Sequence, residues 1–177
     1  VTAPPEINAT AASLLGFLHD GPLTGWDLVA RAERTIGPFW SLTRSQVYRE
    51  LAFMAQHGLV AAGETGRRDA RPHTITDAGR AAFAEWAARG PGEGTLRLPL
   101  LLFVTLGRNL RPGLLRDVLA EQRIHQAGLL KEYVAARQAL DAAAEPDPHL
   151  LATLEYGITV ARATIRWIDR LPAEIGG

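Results

Sequence analysis

No cysteine occurs among the 177 residues, which excludes a disulfide framework and a thiolate zinc site and makes a cytoplasmic setting the ordinary expectation. Net charge is also missing: 19 Lys plus Arg balance 19 Asp plus Glu, so no global positive field points to a polyanionic partner. The longest apolar stretch, residues 98–106, is far too short to cross a bilayer, and no basic-then-apolar leader opens the chain. A soluble protein with no membrane partner is expected. Catalytic and cofactor motifs are absent as well. Residues 63–66 lack the Gly-Lys-Ser/Thr ending of a phosphate loop, and His19, His57, His73, His125 and His149 are scattered. Glu121 and His125 stand one helical turn apart, a spacing that usually marks a surface pair and not a metal site. No enzyme, metal or cofactor is expected.

What is present is apolar content of 47%, enough for one domain or two small ones. Pro4 and Pro5 read as a loose arm. A short helix then begins at Asn8 or Thr10, with Ala11, Leu14, Leu15 and Leu18 on one face, and ends at the His19 to Pro22 turn. Thr24 with Asp27 three residues on is a capping box opening a second helix, whose inner face is Leu28, Val29 and Ala32. Thr43 and Gln46 repeat that arrangement at the start of a third helix with Val47, Leu51, Met54 and Ala55 on its inner stripe, ended by Gly58. Residues 59–61 and 73–76 flank a basic, Gly-containing segment and read as a hairpin. Thr76 caps a fourth helix to about Ala88, with Ala78, Ala81, Ala82, Phe83 and Trp86 as its apolar surface.

The run Gly90, Pro91, Gly92, Glu93, Gly94 is the best boundary, giving domains 1–90 and 91–177. Beyond it, residues 98–106 fit either a strand or a buried helix by periodicity. A long helix from Leu114 to about Ala144 follows, and after Pro146 and Pro148 a last helix carries Leu151, Leu154, Ile158, Ala161, Ile165 and Ile168 at three- and four-residue steps. Gly157, Val160, Thr164 and Trp167 form a second apolar edge beside that seam. One helix with two apolar edges needs more than one neighbour, and a second subunit is the simplest source. The expected fold class is mainly α with a small β-hairpin wing: a winged helix-turn-helix domain followed by a helical dimerisation domain.

Three short helices, the third capped and followed by a basic hairpin, suit the DNA major groove, which is about 12 Å wide and admits one helix. The N-terminal turns of the third helix carry Arg44, Ser45, Gln46, Tyr48 and Arg49. Arg forks onto guanine and Gln onto adenine, whereas Ser and Tyr more often hold phosphate. Gln46 is partly committed to its own cap, so its base-reading role is the least secure. Arg67, Arg68 and Arg71 in the hairpin loop suit adjacent phosphates or the minor groove. Locally the balance favours this, since residues 44–80 carry six Arg against Glu50, Glu64, Asp69 and Asp77. The competing reading is a dimeric winged-helix module that binds another protein and no DNA.

Three stretches carry a family resemblance: "LLGFLHDGPLTGW" from Leu14 to Trp26, "FWSLTRSQVYRELAFMAQHGLV" from Phe39 to Val60, and "GRRDARPHTITDAGR" from Gly66 to Arg80. In order and spacing the chain resembles the PadR family of bacterial transcriptional regulators, in its larger subgroup with a multi-helix C-terminal domain. The resemblance implies a homodimeric, DNA-binding regulator, most often a repressor, on a pseudo-palindromic double-stranded operator. The family's recognition-helix tyrosine falls on Tyr48, and its wing Gly-Arg motif on Gly66, Arg67 and Arg68. Two departures stand out: Pro72 precedes the polar pair His73 and Thr74 where the family usually has an aromatic, and Trp26 replaces tyrosine after Gly25. Response to a small aromatic or lipophilic effector is also implied, with Trp26, Trp40, Trp86 and Trp167 as candidate stacking residues.

Overall fold

The computed structural model describes residues 5–37, 39–64, 71–92 and 97–176. The chain divides into two compact units, residues 1–94 and 95–177, each with its own internal packing.

The first unit contains α1 (Ala9–Leu18), β1 (Leu23–Thr24), α2 (Gly25–Thr35), α3 (Arg44–Gln56), β2 (Val60–Ala62), β3 (Pro72–Ile75) and α4 (Asp77–Ala88). Its helices start where side chains satisfy the orphan N–H groups of a first turn. The Ala11 N–H donates to Asn8 Oδ1 at 2.8 Å, and both expected capping boxes form, Thr24 with Asp27 and Thr43 with Gln46. Gly58 closes α3 at φ +67°, a conformation that glycine adopts without the Cβ clash, and the chain turns directly into β2.

A small antiparallel sheet has the strand order β1-β3-β2, with Val60 opposite Ile75 and Leu23 opposite His73. The sheet is tied to α4 through Thr76, whose hydroxyl donates to the Gly58 carbonyl at 2.7 Å while accepting from the Gly79 N–H at 3.1 Å. At Gly79 an added Cβ would lie 2.1 Å from the Leu59 carbonyl oxygen, so only glycine lets α4 sit this close to the start of the hairpin.

The core of this unit is one cluster in which Leu14, Leu15, Leu18, Leu28, Val47, Leu51, Met54, Leu59 and Ile75 meet. Three expected inner positions lie outside it: Ala55, Ala78 and Ala81 are exposed. Alanine adds too little apolar area to orient a helix, and the larger Phe53, Phe83 and Trp86 pack against the cluster beside them. Glu50, on α3, is buried within this unit; its carboxylate accepts from Asn8 Nδ2 at 3.2 Å, joining the cap of α1 to α3.

The second unit is helical: α5 (Pro99–Thr105), a 3-10 turn at Gly107–Asn109, α6 (Leu114–Asp141), α7 (Pro148–Ile168) and a terminal 3-10 turn at Ala173–Gly176. Residues 98–106, left open between strand and buried helix, are therefore mostly helix, and no residue of α5 is buried. Asp147 caps α7 by accepting from the His149 and Leu150 N–H groups. Arg123 pairs with Asp169, and Arg137 with Glu155, so rising residue numbers on α6 meet falling numbers on α7 and the two helices are antiparallel. Tyr133 lies over Gly157, where a Cβ would come within 3.0 Å of the ring. No helix among the described residues is long and apolar enough to cross a membrane.

Candidate nucleic-acid interface

Helix α3 has two faces with different fates. Val47, Leu51 and Met54 are buried, whereas Arg44, Ser45, Tyr48 and Arg49 are exposed on its first turns. The exposed face combines two cations with the positive end of the helix dipole, an arrangement that attracts an anion. Among the described residues Arg44 joins no ion pair. Arg49 is 70% exposed and lies 3.7 Å from the buried Glu50 carboxylate, a weak tether that leaves its fork in solvent.

Gln46 serves the cap as its position suggested. Its Oε1 accepts from the Thr43 N–H at 2.8 Å and from the Thr43 hydroxyl at 2.9 Å, and its own N–H donates to Thr43 Oγ1 at 3.2 Å. Ser45 Oγ is 3.1 Å from the same hydroxyl. With Oε1 of this half-buried residue committed to the cap, the amide NH2 is the group left to donate elsewhere.

The start of α2 abuts this face. Gly25 lies under the Tyr48 ring, and a Cβ there would come 2.7 Å from the ring carbon Cε1, so the tyrosine lies across the first residue of α2 because that residue has no side chain. One position on, Trp26 is 60% exposed, and the Arg44 guanidinium sits 4.7 Å from the centroid of its ring. Sequence reasoning placed Trp26 with the effector candidates and did not connect it with Arg44. The two are eighteen positions apart, and only the packing of α2 on α3 brings them together.

Of the wing residues, Arg71 is exposed immediately before β3, next to the strand pairing. Arg67 and Arg68 lie outside the described residues. His73 replaces the aromatic usual at the second wing strand; its Nδ1 is buried and has no hydrogen-bond partner among the described residues. Burial, and secondarily the Arg71 charge, hold its pKa below the ordinary 6.5. The other tryptophans are dispersed. Trp40 is exposed between α2 and α3, Trp86 on α4 lies 5.9 Å from the Phe83 ring, and Trp167 is half-buried on α7 in the second unit.

Comparison with known proteins decides the family. Residues 14–85 match the transcriptional regulator PadR-like family, and residues 96–175 match the C-terminal region of the virulence activator alpha family. A probable transcriptional regulator of Mycobacterium tuberculosis, Rv1176c, is 31% identical over 180 aligned residues, which cover 90% of this chain and 93% of that one. The chain belongs to the PadR family. It is a DNA-binding transcriptional regulator, and the family is one of regulators and not of enzymes. The negative transcriptional regulator PadR of Bacillus subtilis is 28% identical over 142 residues, 76% of each chain. Its structure in complex with operator DNA shares the PadR fold with a TM-score of 0.85, at 21% identity over 97% of this chain and 99% of that one. The same protein in complex with p-coumaric acid gives 0.77 over 97% and 99%, at 22% identity. The Vibrio cholerae virulence activator AphA gives 0.78 at 26% identity, covering 94% and 98%.

Proposed function

We propose that the protein is a repressor that acts as a homodimer on a pseudo-palindromic operator and is released by a small aromatic or lipophilic effector. Residues 1–90 serve as the winged helix-turn-helix DNA-binding domain and residues 91–177 as the dimerisation domain. The observation that carries this reading is the exposed face of α3, where Arg44, Ser45, Tyr48 and Arg49 stand together while the opposite face fills the core. In the major groove Arg44 and Arg49 fork onto guanine or phosphate, Tyr48 and Ser45 hold phosphate, and Gln46 contributes its amide NH2. Arg71, with Arg67 and Arg68, reaches the flanking backbone.

Repression is supported by the negative regulator of Bacillus subtilis, and an effector by the p-coumaric acid complex of that protein. Nothing in Trp26, Trp40, Trp86 or Trp167 selects phenolic acids over other planar compounds. The experiment is selection from a randomised palindrome library at two salt concentrations. Two half-sites about 34 Å apart are expected. A dimer neutralising about six phosphates loses on the order of a thousandfold in affinity when salt rises fourfold. Weak binding with neither sequence preference nor salt slope would overturn the reading.

A further inference from the structure

We propose that Trp26 is a positioning residue for Arg44, holding the guanidinium against its indole face so that the arginine meets DNA already oriented. The inference rests on the reading of α3 as the DNA-facing helix and adds to it a determinant that lies on a different helix.

Arg44 is the first residue of α3, where the helix dipole disfavours a cation and where no carboxylate among the described residues holds it. A four-torsion side chain in that place would sample many rotamers, and freezing it at a base edge would cost most of its side-chain entropy. The Trp26 ring, 4.7 Å from the guanidinium carbon, supplies the missing partner. Stacking on an aromatic face differs from an ion pair in one chemically decisive way. It takes no carboxylate acceptor, so the N–H donors of Arg44, which join no hydrogen bond among the described residues, stay uncommitted for an acceptor such as guanine O6 and N7. By contrast, Arg123 spends two donors on Asp169.

The tryptophan is itself well placed to act as a support. It follows Gly25, which is fixed under the Tyr48 ring, and the Thr24 to Asp27 capping box sets the first turn of α2 on either side of it. At 60% exposure Trp26 contributes little to the core, so its size and aromaticity are not explained by packing. Its ring is available to Arg44 because the same close approach of α2 to α3 sets Tyr48.

The test is a double-mutant cycle on the full-length dimer, with Trp26→Ala, Arg44→Ala and the double variant titrated against the selected palindrome and against single base-pair changes in it. An exposed cation–π contact corresponds to about two- to fivefold per subunit, hence about four- to twenty-five-fold for a site read by two subunits. Trp26→Ala is expected to weaken binding by that factor in the wild-type background and by less than about twofold when Arg44 is already alanine. It should relax preference at the same base pair that Arg44→Ala relaxes, leave the salt slope unchanged, and be largely rescued by Trp26→Phe. Equal losses in both backgrounds would overturn the proposal, because Trp26 would then act on DNA or on the fold without Arg44. No loss in the wild-type background would overturn it as well. A wild-type chain that selects no sequence fails earlier, at the functional reading, and takes this inference with it. Thermal midpoints of the variants identify any loss that comes from unfolding.

Discussion

The two units bury their apolar residues to very different degrees. The first closes Leu14, Leu15, Leu18, Leu28, Val47, Leu51, Met54 and Leu59 into one cluster fed by four helices and a sheet. Among the described residues of the second, only Leu115, Leu119, Ile158 and Ala161 are buried, while Leu98, Leu101, Leu102, Phe103, Leu106, Ile124, Tyr156 and Val160 remain exposed. An isolated apolar residue at a surface is ordinary, but a row of them on neighbouring helices is the pattern of a surface awaiting a partner. The difference separates two sources of stability. One unit holds itself together, and the other is left with apolar edges that the proposed second subunit would cover.

The largest expected effect comes from breaking the self-sufficient side of this comparison. Leu14 is fully buried, so Leu14→Ala removes its packing and leaves a cavity costing about 2–5 kcal/mol. Urea denaturation followed by circular dichroism should show that loss in a transition that does not move with protein concentration. The transition belonging to α6 and α7 should instead shift to higher urea as the protein is concentrated, since mass action stabilises an assembled unit. Two transitions with the same concentration dependence would remove the distinction between the units.

A smaller effect tests the other side. Val160 is 42% exposed on α7, on the edge beside the buried seam of Ile158 and Ala161. Placing a carboxylate there costs little if water covers that edge, but burying it unpaired in a subunit interface is expensive. Val160→Asp is expected to raise the dimer dissociation constant by at least about thirtyfold, roughly 2 kcal/mol, as measured by sedimentation equilibrium. An unchanged dimer would place the interface away from this edge, and a monomeric wild type would remove the homodimer from the proposed function.

Much of the first unit was legible because its signals are local. Thr24 with Asp27, Thr43 with Gln46, Thr76, and Gly58 each act within one helical turn, and all appear where their spacing puts them. What escaped were features made by packing or too short for a period. Strand β1 has two residues, fewer than any alternation can reveal, and it exists because β3 offers it an edge. Glu50 reads as one more charged helix residue until Asn8, 42 positions earlier, gives its carboxylate a donor. In α5 a nearly unbroken run of apolar residues hides any face, so neither helix nor strand could be preferred from periodicity. At the interface, the residues of α3 were legible from its cap, whereas the support beneath Arg44 and Tyr48 belongs to α2 and becomes visible only in three dimensions.

The smallest effect sharpens the comparison by pH, because the two units carry displaced titrations of opposite chemistry. His73 in the first unit has its pKa held below 6.5, first by burial and then by the Arg71 charge. The unfolded chain therefore binds more protons than the folded one as pH falls below about 6.5, and stability must decline through that window down to the lowered folded value. Asp169 in the second unit has its pKa held below 3.8, chiefly by the hydrogen bond from Arg123. Its contribution is present above that value and is lost only as pH falls through the still lower folded pKa. Because this pair is exposed, solvent screening keeps its contribution small. On acidification from pH 7 to 5 the transition of the first unit should weaken while that of the second keeps its midpoint, as read by denaturation at fixed protein concentration. His73→Asn, which cannot take up a proton, should flatten the slope of the first transition without touching the second. If the slope survives that substitution, another group carries the acid sensitivity, and the His73 imidazole is not its source.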